Sequence, residues 1–133
     1  MQELKYSNCF VCGPDNPHGL KLDFYLEGDR AYTSFDSPRG FEGYKDVIHG
    51  GIIATLLDEV MAKIIISNGL LAVTADLSVR YRKPLPVGTK VKVWGEISMQ
   101  KSRTIHAKAA VEDEAGNVFS EATAVYIVMK GFG

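Results

Sequence analysis

One stretch constrains the fold of this chain more than any other. From Ile52 to Ile66 the apolar residues fall at positions 52, 53, 56, 57, 60, 61, 64 and 65, the spacing of a broad helical face that must be buried. It is the only long helical pattern in the sequence. Gly50 and Gly51 open it and leave backbone N–H groups bare, while Ser67-Asn68-Gly69 closes it, with Gly69 placed for a left-handed cap.

Around this helix the sequence reads as strands. Leu20 to Phe24 alternates apolar and polar residues, and Gly28-Asp29 turns it into Ala31 to Phe35, a first hairpin. Pro38 to Ile48 is an irregular loop with Phe41 and Tyr44, a lid or pocket wall feeding the helix. After Gly69, Ala75, Leu77, Val79 and Tyr81 alternate with Asp76, Ser78, Arg80 and Arg82 until Pro84 and Pro86 end the run. Val91, Val93, Ile97 and Met99 continue the pattern, with Gly95 marking a bulge, and Ile105, Ala107, Ala109 and Val111 form the next strand. A turn at Glu114-Ala115-Gly116-Asn117 leads into Val118 to Met129, apolar on both faces from Ala124 onward and therefore central to the sheet. The expected class is α+β: two strands, the helix, then four long strands in hairpin succession, giving one antiparallel sheet of about six strands curled around one helix.

A chain of 133 residues, 46% apolar, fills one core, so a single domain over residues 1–133 is expected, with residues 1–19 as an N-terminal arm. Fifteen basic against sixteen acidic residues leave a net charge of -1, and no global field draws the chain to nucleic acid or to an anionic membrane. Met1 to Phe10 carry Glu3 and Lys5 without an apolar core for a secretory signal, and Asp58, Glu59 and Lys63 break the longest apolar run well short of a membrane span. A cytoplasmic protein is expected. Cys9 and Cys12 are too few for a tetrahedral zinc site, with His18 as a third candidate ligand and a symmetry mate as the source of others. A redox pair is the other reading, but the turn-rich Gly13-Pro14-Asp15-Asn16-Pro17 that follows is unlike the strand-to-helix setting of thioredoxin motifs. A structural or incidental role is expected, with no metal and no cofactor.

Two adjacent carboxylates in the helix differ in their surroundings. Glu59 has Lys63 four residues on, an ordinary exposed pair. Asp58 has only Ala54, Thr55, Met61 and Ala62 at helical spacing, a carboxylate on a small, largely apolar surface. Bare N–H groups at the positive end of the helix form a donor site for a developing oxyanion, and a carboxylate can activate water or attack directly, so the pair suits acyl transfer. Eight residues of helix rise put Gly50 and Asp58 about 12 Å apart along the axis, too far to serve one carbonyl. Two antiparallel helices about a twofold axis remove the conflict, since each glycine end then faces the other subunit's Asp58.

With these residues in place the chain resembles the hotdog-fold acyl-CoA thioesterases of the phenylacetic-acid-pathway (PaaI-like) type, within the 4-hydroxybenzoyl-CoA thioesterase superfamily. The resemblance rests on His49-Gly50-Gly51 with Asp58 nine residues after His49, on Phe41-Glu42-Gly43, and on Thr74-Ala75-Asp76-Leu77 leading to Tyr81-Arg82-Lys83-Pro84 and Gly88. With the strand pattern it covers roughly residues 20–129. It implies dimers made by edge strands, often paired into tetramers, and thioester hydrolysis with an oxyanion contact from the Gly50 N–H. It further implies Asp58 of the other subunit as base or nucleophile, His49 near the thioester and Thr74 orienting water, although strict alternation turns Thr74 to the face opposite Ala75 and Leu77. Gly51 belongs to the same substrate-binding helix start. Arg80, Arg82, Lys83, Lys101 and Arg103 are candidates for the phosphates of coenzyme A, set against their usual fate as a solvated sheet face. His18 and His106 stand alone and read as structural or surface. The rival readings are a non-catalytic acyl-CoA binder, a hydratase, which needs a different Asp/His arrangement, and an acyl-CoA-sensing regulator, which needs a DNA-binding extension.

Overall fold

A computed structural model describes residues 6–129; the terminal features with Glu3 and Lys5 lie outside the described residues. In chain order the elements are β1 (Tyr25–Glu27), β2 (Arg30–Phe35), a 3-10 turn (Arg39–Phe41), β3 (Glu42–Tyr44), β4 (Val47–Ile48), α1 (Gly50–Ser67), β5 (Ala72–Tyr81), β6 (Val91–Lys101), β7 (Thr104–Glu112) and β8 (Val118–Val128). The large sheet has six antiparallel strands in the order β1-β2-β6-β7-β8-β5, and β3 pairs with β4 beside it. Helix α1 packs against β2, β5, β6, β7 and β8. This is the expected sheet around one helix.

The helix buries the face its spacing predicts: Ile53, Leu56, Leu57, Val60, Met61, Ile64 and Ile65 are all inside. Each such side chain contributes about 1.5–3 kcal/mol on full burial, so the helix anchors the core. Its C-terminal end is closed by Gly69 at φ +80, whose N–H reaches the Ile66 carbonyl at 2.9 Å. Among the described residues no helix is long and apolar enough to cross a membrane.

Four local expectations are corrected. The first hairpin turns at Gly28-Asp29 as read, but its first strand begins at Tyr25, because residues 20 and 22 instead hydrogen-bond back to Phe10 and Val11. The arm is consequently packed: Val11 and Cys12 are in the core. Gly95 pairs in register with Ala31 and Ala109, and the β6 bulge lies between Ile97 and Met99. A Cβ on Gly95 would stand 3.0 Å from Val60 Cγ1 and 3.2 Å from the Met61 nitrogen, so this glycine lets the helix backbone approach the sheet. Finally, β8 lies between β7 and β5, with β5 at the sheet edge rather than paired in succession with β6.

Candidate active site

Asp58 lies two turns into α1, half-buried, where β5 and β8 cover the helix. Its Oδ1 accepts two hydroxyl hydrogen bonds, from Thr74 Oγ1 at 2.8 Å and from the Tyr126 phenol at 2.7 Å. The same phenol lies 2.9 Å from the Asp58 backbone carbonyl. Oδ2 has no donor among the described residues, which leaves its lone pairs for a proton or an electrophile. Burial first, then the hydrogen bond and charge of Asp58, push the Tyr126 phenol well above its usual range, so it stays a donor at any pH an enzyme meets.

Thr74 reaches Asp58 because β5 is irregular there. Thr74 pairs with Tyr126 and Asp76 with Val125, leaving Ala75 as an extra residue. The bulge breaks the alternation that would have turned Thr74 from the helix, and Leu77 and Val79 resume packing against the core beyond it. Tyr126 escaped the sequence reading. The available signal was parity: Ala122, Ala124 and Tyr126 share the buried face of β8, and a phenol on that face needs a polar partner from the helix.

At the helix start, His49 satisfies the N–H groups that follow Gly50. Its Nδ1 accepts from the Gly51 N–H at 2.8 Å, and its carbonyl accepts from Ile52 at 3.0 Å and Ile53 at 3.2 Å. The sequence reading left both glycine N–H groups bare, and the structure corrects it: Gly51 is occupied, whereas the Gly50 N–H has no acceptor among the described residues. Acceptance at Nδ1 leaves the proton of the neutral ring on Nε2. Phe41-Glu42-Gly43 sets this cap in place. The His49 N–H donates to the Phe41 carbonyl at 2.8 Å, and a Cβ on Gly43 would come within 2.8 Å of His49 Cα. Tyr81 from the far end of β5 donates to the Gly50 carbonyl at 2.7 Å. A cleft of about 400 Å³ opens over Phe41, His49, Gly51, Ile52 and Thr55; Asp58 does not line it.

The cationic candidates are not brought to Asp58 within the chain. Arg80 lines a cavity of about 450 Å³ on the outer sheet face with Ser78 and Lys108. Arg82 pairs with Glu121, its Nε 3.0 Å from Oε1. The Arg103 guanidinium donates to the Val128 carbonyl at 3.0 Å, and the Lys83 ammonium sits 5.2 Å from the centre of the Phe119 ring. Lys101, at the end of β6, is exposed. The Glu59–Lys63 pair is no exposed pair: its side chains are 19% and 7% exposed, at 3.2 Å, beside Cys9 and Cys12. His18 stands outside that cluster.

Comparison with known proteins bears on the family and the fold. The acyl-coenzyme A thioesterase THEM4 of Mus musculus is 29% identical over 99 residues, which are 74% of this chain and 43% of that protein. The protein of the same name from Bos taurus is 22% identical over 95% of this chain and 53% of its own length. The chain thus spans about half the length of the curated relatives it matches. Among solved structures, a Streptococcus mutans protein bound to acetyl-CoA superposes with a TM-score of 0.76 at 24% identity, over 81% of this chain and 88% of its own. The E. coli PaaI protein of the phenylacetic acid degradation operon gives 0.77 at 18% identity, over 84% and 82%; at such identities the likeness is one of fold. The profile of the thioesterase superfamily matches residues 45–120, from the loop before the helix to the start of β8. A match over more than half of the sequence, on a sheet wrapped around one helix, makes this chain a member of the thioesterase superfamily.

Proposed function

We propose that the protein hydrolyses acyl-CoA thioesters to the free acid and coenzyme A, in sites shared between two subunits. The observation that carries the reading is the Asp58 carboxylate, held through Oδ1 by Thr74 and Tyr126 with Oδ2 left open. In a dimer of antiparallel helices that oxygen faces the partner's helix start. Asp58 takes a proton from water as the water adds to the thioester carbonyl, or attacks that carbon itself to form a mixed anhydride that water then hydrolyses to the free acid. The oxyanion that forms meets the Gly50 N–H, and its collapse breaks the C–S bond to release the CoA thiolate. His49 sets the geometry of the donor site by satisfying its neighbours, and Thr74 positions Asp58 and the water. Support for the shared site comes from the ~12 Å between Gly50 and Asp58 along the helix. It comes also from the unpaired edge of β5, where Leu71 just before the strand, Val73 and Tyr81 are exposed. Arg80 and Lys83 are the candidates for the nucleotide phosphates, since Arg82 and Arg103 already have partners in the chain.

Thiol release from a panel of acyl-CoAs tests the reading. The folded protein should turn over at least one class, and Asp58→Asn should lose at least about two orders of magnitude in rate, since its amide oxygen still accepts from Thr74 and Tyr126. No turnover of any thioester by a folded protein that binds coenzyme A would leave the non-catalytic binder. One turnover in heavy-oxygen water tests the covalent role: label in the Asp58 carboxylate marks a nucleophile, whereas label only in the released acid fits either a base or an anhydride opened at the acyl carbon.

A further inference from the structure

The cluster behind the helix is unrelated to the Asp58 chemistry and brings together residues from two distant parts of the chain. Cys9 and Cys12 come from the arm, Glu59 from α1, and their ligand atoms lie within 4.8 Å of one another. Among the described residues this is the one such convergence of His, Cys, Asp or Glu. We propose that Cys9, Cys12 and Glu59 bind a structural zinc ion that staples the arm to the central helix.

Local geometry favours a metal over a chance contact. Gly13 closes the Cys9–Gly13 turn with its N–H 2.9 Å from the Cys9 carbonyl, and a Cβ there would come within 2.3 Å of the Cys9 nitrogen, so only glycine fits. The turn brings the backbone N–H groups of Cys12 and Val11 to the Cys9 sulfur. The Cys9 sulfur stands 3.6 Å from Glu59 Oε2. A tetrahedral zinc with bonds of about 2.3 Å to sulfur and about 2.1 Å to oxygen sets those atoms about 3.6 Å apart. That separation suits shared ligation. Thiolate with carboxylate suits zinc better than calcium or magnesium, which take oxygen donors.

Lys63 completes the charge balance. Its ammonium lies 3.0 Å from the Cys12 sulfur and 3.2 Å from Glu59. Two thiolates and a carboxylate around a divalent ion leave one negative charge, which the ammonium offsets while donating to the Cys12 sulfur. Binding releases the two thiol protons. A cavity of about 290 Å³ lined by Cys9, Glu59, Lys63, Ile66, Leu70 and Tyr6 adjoins the cluster, and water from it can supply a fourth ligand. The expectation of an incidental cysteine pair rested on too few ligands, and the third comes from Glu59, forty-seven residues beyond Cys12 in the chain.

The test uses the reduced full chain, stripped of metal and titrated with zinc chloride. Native mass spectrometry should show one zinc per chain, and a hundredfold excess of free zinc over its dissociation constant should raise the thermal midpoint by roughly 10 °C. Cobalt(II) in place of zinc should give thiolate charge-transfer absorption. Cys9→Ser and Glu59→Gln should lose both the ion and the stabilisation. Because Cys12 is buried and Cys12→Ser need not fold, the wild-type chain provides a second measurement: zinc should protect both thiols from alkylation. Failure to retain zinc against a chelator, undiminished binding by Cys9→Ser, or unchanged alkylation overturns the proposal. So does a Cys9–Cys12 disulfide whose reduced form takes no metal.

Discussion

The Tyr126 phenol stands 2.7 Å from Asp58 Oδ1 and 2.9 Å from the Asp58 carbonyl oxygen, so one buried side chain of β8 fixes both the carboxylate and its turn of helix. Tyr126→Phe keeps the ring and its packing and removes only the hydroxyl. One hydrogen bond of this kind is worth about 1 kcal/mol, so kcat should fall roughly five- to tenfold with little change in KM. Thr74→Val should do the same, and Thr74→Ser should restore most of the rate. Wild-type kcat in both Tyr126→Phe and Thr74→Val would mean that orientation of Oδ1 has no part in the reaction.

Gly50 separates activity from folding. A Cβ there would stand 3.4 Å from the nearest Tyr81 ring atom, in ordinary contact, and Ala is the better helix former. Gly50→Ala should therefore keep the thermal midpoint within a few degrees of wild type. The same methyl group obstructs a carbonyl approaching the Gly50 N–H, and loss of such a donor costs about a hundredfold or more in kcat. A folded Gly50→Ala protein of full activity would place the oxyanion elsewhere.

Acid stability rests in part on Glu96, on the outer side of β6. Burial raises its pKa, but hydrogen bonds from Arg30 and Lys108, each at 3.3 Å, outweigh this and hold it below the ordinary carboxylate range. A carboxyl whose pKa is lower in the folded than in the unfolded chain stabilises the fold above the unfolded value, and that contribution is lost as pH falls through the folded value. Glu96→Gln should cost about 1 kcal/mol or less at neutral pH, since all three side chains are partly exposed, and nothing in strong acid. Denaturant midpoints at both pH values decide; an equal deficit at both would assign Glu96 to packing instead of charge.

What the sequence revealed follows what local chemistry controls. The helix, its buried face, the Gly28-Asp29 turn and the lack of a partner for Asp58 within its own helix are set by spacing and neighbours within a few residues, and were legible. The Thr74 bulge depends on how β5 and β8 register, which no alternation pattern encodes. Tyr126, read only as apolar strand, acquires its role because its strand crosses Asp58. Glu59 and Lys63 looked exposed because an i,i+4 pair usually is, whereas residues 9–12 fold back onto the pair and Phe24 lies against the Lys63 ammonium. Gly95 was legible as a special position but not for its reason, a close approach by the helix backbone.

The claim of a site shared between subunits is tested most directly by mixing two inactive proteins, Asp58→Asn and Gly50→Ala, under conditions where tagged chains exchange by native mass spectrometry. In a mixed dimer one site collects both lesions and the other collects neither. Random exchange makes half of the dimers mixed, so about a quarter of wild-type activity should return. Exchanged dimers that stay inactive, although both parents are folded, would put the whole site within one chain and contradict the account.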